Sequence, residues 1–190
     1  MLFILVVFLY FCAIKTKNTS MQPNIAKSAL RNFHFIGLLL SAKFILSTQR
    51  YEILAMITIF ISVMVIFMLF RTSLHFRETE CEGFISYWKA FRYIFLIYFF
   101  ASVVMLIVVV IYTSLIDTQF LSYQLDTMLK MYESINHPID DNTQKAMQII
   151  FTPVPFAILN IFANAIVGAF WALIMAFFVR KEPNNLFDQQ

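Results

Sequence analysis

Along this chain, polar residues gather in short clusters separated by long apolar runs. Residues 53–70, 93–116 and 152–179 contain no charged side chain, and a weaker run, 30–48, is interrupted by His34 and Lys43. A helix needs about 20 predominantly apolar residues to cross a bilayer, and each run reaches or approaches that length. The pattern predicts an all-α integral membrane bundle of four transmembrane helices. Only S-T-Q-R-Y-E, 47–52, separates the first two spans, which sets them as a tight antiparallel pair. Residues 71–82, with R-E-T-E-C-E as their charged centre, are expected to be the loop between the second and third.

Segment 117–151 is the sizeable extramembrane stretch. Leu121, Leu125, Met128, Tyr132 and Ile135 recur at spacings of four, three, four and three, which marks one apolar helix face. His137-Pro138 ends that helix, and Asp140-Asp141-Asn142 offers caps for a second short helix carrying Ala146, Met147 and Ile150. An extracytoplasmic helical hairpin lying on the membrane surface is expected.

Residues 82–95, E-G-F-I-S-Y-W-K-A-F-R-Y-I-F, mix aromatic rings with two cations. On a helix Phe84, Trp88, Phe91 and Phe95 share one stripe, while Glu82, Ser86, Lys89 and Arg92 or Tyr93 share another. This predicts a short amphipathic interfacial helix leading into the third span, with Trp88, Lys89 and Arg92 at the headgroup level.

Residues 1–20 form an apolar N-terminal extension. Its run of 14 apolar residues, 1–14, is about 21 Å as helix, and its lysines, Lys15 and Lys17, follow the run instead of preceding it as a secretory signal requires. Bulky Phe11 before Cys12 argues against a lipoprotein signal. An upstream start ahead of Met21, an extra or peripheral helix and a signal remain three open readings. Residues 21–182 are then a single four-span domain, and 183–190 a cytoplasmic tail.

Composition agrees with the pattern: 61% of residues are hydrophobic and 13% charged, against roughly 45–50% and 25% in soluble domains. A net charge of +3 supplies no electrostatic footprint for nucleic acid. The distribution of Lys and Arg says more. Lys15, Lys17, Lys27, Arg31, Arg71, Arg77, Lys89, Arg92, Arg180 and Lys181 fall on one side of the predicted spans, and Arg50, Lys130 and Lys145 on the other. Ten against three places both termini in the cytoplasm and 117–151 outside.

Chemistry has little to stand on. Cys12 and Cys81 stand in different contexts and form neither a disulfide framework nor a metal spacing. His34, His75 and His137 are scattered; His75 with Glu78 and Glu82 reads as a solvated charged loop, and Asp140-Asp141 as helix caps. No nucleophile elbow or phosphate loop is present in the sequence. No enzyme activity, cofactor or metal is expected. Lys43 is the strongly basic residue well inside a span, either functional or snorkelling to the outer interface.

The last span is the most informative. Asn160, Asn164, Gly168, Ala172 and Ala176 recur every four residues, with Ala157 above them. Such a ridge of small residues lets helix backbones approach, and its amides can bond across to a neighbour. Ala55, Thr58 and Ser62 on the second span offer a compatible face.

In this order of spans, G-F-I-S-Y-W-K-A-F at 83–91 and P-V-P-F-A-I-L-N-I-F-A-N-A at 153–165 carry a resemblance. The chain resembles the four-span membrane proteins of Bacteroidetes catalogued as domain of unknown function 4199, over roughly residues 28–182. Gly83, Ser86, Lys89 and Phe91 match that family's recurring positions; Trp88 departs from its usual smaller residue. The resemblance implies an inner-membrane location and carries over no catalytic residue. The expected function is a non-enzymatic membrane interaction or structural module, whose partners are the lipid bilayer and either itself or other membrane proteins. The alternative is a small carrier or pore with a polar site around Asn160, Asn164 and Lys43.

Overall fold

The computed structural model describes residues 24–49, 51–134 and 140–182. The extension 1–20 with Met21, Arg50, Ile135, the His137-Pro138 break and the tail 183–190 lie outside the described residues. Within them the chain forms α1 (Ile25–Asn32), α2 (His34–Ser47), α3 (Glu52–Glu80), α4 (Tyr87–Ile111), α5 (Phe120–Ser134), α6 (Asp141–Ile150) and α7 (Pro153–Val179). Three stretches, Ile53–Glu80, Tyr87–Ile116 and Pro153–Val179, are long and apolar enough to cross a membrane; α1 and α2 together pass the same criterion but are bent by 50°. The architecture is that of a multi-pass membrane protein.

Helix α4 is the hub. Its buried side chains, among them Ala90, Ile94, Ile97, Ala101 and Met105, recur every three or four residues and form a continuous inner face. Helices α1, α2 and α7 pack on it, α7 most extensively. Helix α3 packs mainly on α2 and turns Ile53, Met56, Ile59, Phe60, Val63 and Phe67 outward. No water is needed to satisfy a backbone wound into helix, so such a surface is compatible with hydrocarbon.

Four expectations are corrected by the structure. The predicted first span is a bent pair of helices, not one helix over 30–48. At the bend His34 Nδ1 lies 3.2 Å from the Arg31 carbonyl, where an unbroken helix would bring the Phe35 N–H, and a side chain in the ladder is one cause of a sharp kink. Secondly, residues 71–80 are no loop: α3 runs on to Glu80, because its apolar face continues through Leu74 and Phe76 while Arg71 and Glu78 are exposed. The third correction concerns 82–95. Glu82 and Gly83 adopt φ of 53° and 83°, and α4 begins only at Tyr87 after the extended Ser86. Phe84 therefore leaves the predicted stripe, whereas Trp88, Phe91, Phe95 and Phe99 continue it with successive ring centroids 5.7, 6.1 and 6.2 Å apart.

Last, both helices of 117–151 form, with Leu121, Leu125, Met128 and Tyr132 on the less exposed side of α5. Among the described residues they make few contacts with each other or with the bundle, so the two helices are not packed on one another there. A single π turn, Tyr112–Ile116, ends α4, and Phe120 anchors the start of α5 between the rings of Phe44 and Phe156 at 6.0 and 6.1 Å.

Candidate functional site

The small-residue ridge of α7 faces α4. Ala157, Gly168, Ala172 and Ala176 are buried. At Gly168 the approach is so close that an added Cβ would lie 2.6 Å from Tyr98 Cδ1 and 2.9 Å from Cγ. Only the absence of a side chain admits the Tyr98 ring there. The partner surface is thus α4, the predicted third span. Ala55 is exposed, and Thr58 and Ser62 are half-buried with their hydroxyls bonded to their own helix at 2.7 and 2.8 Å, so these residues do not receive the ridge.

The two amides behave differently from the expectation. Asn160 Nδ2 donates to the Phe156 carbonyl at 2.9 Å, and Asn164 Nδ2 to the Asn160 carbonyl at 2.8 Å. Both bonds stay within α7. Across the seam, among the described residues, Asn164 reaches the Met105 sulfur at 3.6 Å, a weak acceptor. Lys43 is half-buried on α2, and no hydrogen bond or ion pair joins it to either amide among the described residues. Helices α2 and α7 each pack on α4 and hardly touch one another, so the three residues are not gathered into one polar site.

A second cluster, at the end that carries most of the cations, was not legible as a unit. Glu80 near the end of α3 accepts from Ser28 and Arg31 of α1. Asn32 donates to the Tyr93 hydroxyl at 2.8 Å, and Tyr93 stacks on Phe76 at 3.8 Å. Arg77 donates to the Val179 carbonyl at 3.1 Å. Ile85 and Lys181 exchange backbone hydrogen bonds of 2.8 and 2.9 Å, and the Lys181 ammonium lies 5.5 Å from the Phe84 ring. These links tie α1, chiefly its last turn, and the start of α4 to the ends of α3 and α7. Burial pushes the Cys81 thiol up from its ordinary value, the Lys89 ammonium opposing it.

Within the motif at 83–91 each element has a local reason. Gly83 takes a left-handed φ that side chains disfavour, and its N–H closes the helix on the Arg77 carbonyl at 2.9 Å. Ser86 holds the N-cap position of α4, and Ala90 is buried in the hub. Trp88 is 63% exposed, Lys89 is half-buried and Arg92 is exposed.

A family model described as "Protein of unknown function (DUF4199)" matches residues 33–181. The chain belongs to this family. Its DUF4199 segment therefore takes in α2 through α7 and closes on Lys181, the residue paired with Ile85; α1 lies outside it. No curated protein and no solved structure matches the chain.

Sequence reasoning missed Gly37 on α2, where an added Cβ would meet Val104 Cβ at 3.3 Å and the Ala101 carbonyl at 3.4 Å. The signal was present: Gly37 and Ser41 stand four apart, a small-xxx-small pair, and both are buried. The Glu80 cluster had no such signal, since its members lie about fifty residues apart in sequence.

Proposed function

We propose that this protein is a four-span protein of the bacterial cytoplasmic membrane that acts as a non-enzymatic structural or interaction module. The α4–α7 seam carries this reading. Gly168 against Tyr98 leaves no room for a solvated path at that level, and the Asn160 and Asn164 amides are spent on backbone carbonyls of their own helix. A carrier would need those donors free to meet a substrate. The bent α1–α2 pair is the fourth span: α2 crosses most of the hydrocarbon and α1 turns along the interface, its amphipathic sequence suiting it to that depth.

Both termini are cytoplasmic in this reading, with α5 and α6 outside. The ten-to-three division of Lys and Arg supports it, and so does the arrangement of the cross-links, since Arg31, Arg77, Arg180 and Lys181 share one end of the bundle. The test is topological. A reporter active only outside the cytoplasm, placed after Gln190, should be silent, and the same reporter inserted after Ser134 should be active. The reverse pair of signals would overturn the orientation, and two silent fusions would remove α7 as a span.

A further inference from the structure

A cleft of about 430 Å³ opens on the bundle surface between the first turn of α1 and the first turns of α4, lined by Asn24, Ile25, Ala26, Arg92, Phe95 and Leu96. Its composition is divided. Phe95 and Leu96, on the hydrocarbon side of Arg92 along α4, make an apolar wall. Arg92 stands at the headgroup end and makes no ion pair or hydrogen bond among the described residues. That is unlike Arg31 and Arg77, which are both engaged by carboxylates at the same end. Ile25 and Ala26, whose N–H groups as first-turn donors have no intrahelical acceptor, are among the residues lining the same cleft, while the Lys27 N–H is taken by the Asn24 side chain at 3.3 Å.

We propose that this cleft seats an anionic phospholipid, with the phosphate against Arg92 and the start of α1 and one acyl chain along Phe95 and Leu96. A cation above an apolar wall matches a headgroup above its chains, and a guanidinium presents a fork of donors to phosphate oxygens. The wall runs along a membrane-spanning helix, so the chain of a seated lipid continues into bilayer without leaving an apolar surface uncovered. The seat joins α1 to α4 in addition to the Asn32–Tyr93 hydrogen bond. It rests on the membrane placement proposed above but not on its orientation, because protein purified in detergent binds lipid whichever leaflet the cleft faces.

The full chain, purified in a non-ionic detergent, is titrated with phosphatidylglycerol or phosphatidylcholine, and bound lipid is read by native mass spectrometry. Phosphatidylglycerol should bind in preference to phosphatidylcholine. Arg92→Glu should weaken it about tenfold or more, since reversal removes one attraction and adds a repulsion. Leu96→Trp, which fills the wall and leaves every charge in place, should also weaken it. Arg71→Glu, the same charge change at an exposed site on α3, should have little effect. Equal losses in Arg71→Glu and Arg92→Glu would reduce the effect to general attraction by the basic end and overturn the seat. So would unchanged binding in Leu96→Trp. Displacement by millimolar glycerol phosphate would reassign the site to a soluble phosphate. A chain started at Met21 completes the set: phosphatidylglycerol binding gained only on that deletion would mean that residues 1–20 fill the cleft instead.

Discussion

Helix α7 is built differently in its two halves. Towards Lys181 its inner face is Gly168, Ala172 and Ala176, all buried against α4, and the end beyond is tied to α3 by Arg77 and to the segment before α4 by the Ile85–Lys181 pair. Towards Thr152 the same face carries Asn160 and Asn164, both half-buried, and the end beyond leads into α5 and α6, which scarcely pack. One half is held by backbone proximity and polar cross-links. The other rests on ring contacts around Phe120 and on the Thr48–Tyr112 hydrogen bond of 2.8 Å. Close packing is the stronger device in a membrane, where lipid tails are as apolar as leucine and only better contact favours association.

The largest effect should come from filling the close-packed half. Gly168→Leu puts a branched side chain where a single carbon already overlaps Tyr98, and should cost about 3 kcal/mol or more, at the upper end of overpacking penalties. Folded yield in membranes and in detergent would read this directly. Asn164→Leu, one turn into the other half, should cost about 1 kcal/mol or less, because its hydrogen bond is internal to the helix. If the asparagine variant proves the worse of the two, the seam is not held by packing and the carrier reading regains its footing.

A smaller effect is expected where the closed end is cross-linked. Glu80→Ala removes the acceptor of both Ser28 and Arg31, leaving α1 tied to its neighbours by fewer contacts. The Arg31 side chain is 51% exposed, so solvent screening limits the loss to about 1 kcal/mol. Amide exchange should rise in residues 25–32 while the α4–α7 seam stays protected. Matched acceleration in α7 would show that the clamp stabilises the whole bundle and not α1 alone.

At the loose end Leu125→Ser should change thermal stability in detergent by less than about 0.5 kcal/mol, because α5 contributes little to the bundle. A loss above 2 kcal/mol would mean that α5 is packed after all.

The smallest effect is one of pH. Asp140, outside the spans, has its carboxyl held below the ordinary range chiefly by the Thr143 hydroxyl. A depressed carboxylate stabilises above its unfolded pKa and loses that contribution as pH falls through the folded one. The first turn of α6 should therefore fray below the ordinary carboxylate range, with exchange rising at 141–144 and the core unchanged. Asp140→Asn should abolish the pH dependence.

Much of this architecture is determined by sequence alone. Long uncharged runs permit only self-satisfied backbone in hydrocarbon, so the apolar helices and their all-α character follow from residues 53–70, 93–116 and 152–179. A four-residue period of small side chains places Gly168, Ala172 and Ala176 on one face, because 3.6 residues make a turn. The same local rules locate α5 and α6.

Tertiary structure decided which neighbour each face meets. Small residues say that something approaches closely and not what, and Tyr98 was as good an apolar residue for lipid as for Gly168 until the helices were placed. It also decided that charge does not end a helix: Arg71 to Glu80 remain wound because Leu74 and Phe76 have partners to cover them. The polar clamp is the clearest case. Ser28, Arg31 and Glu80 have no pattern that links them in sequence, and only the packing of α1 beside the end of α3 brings two donors to one carboxylate.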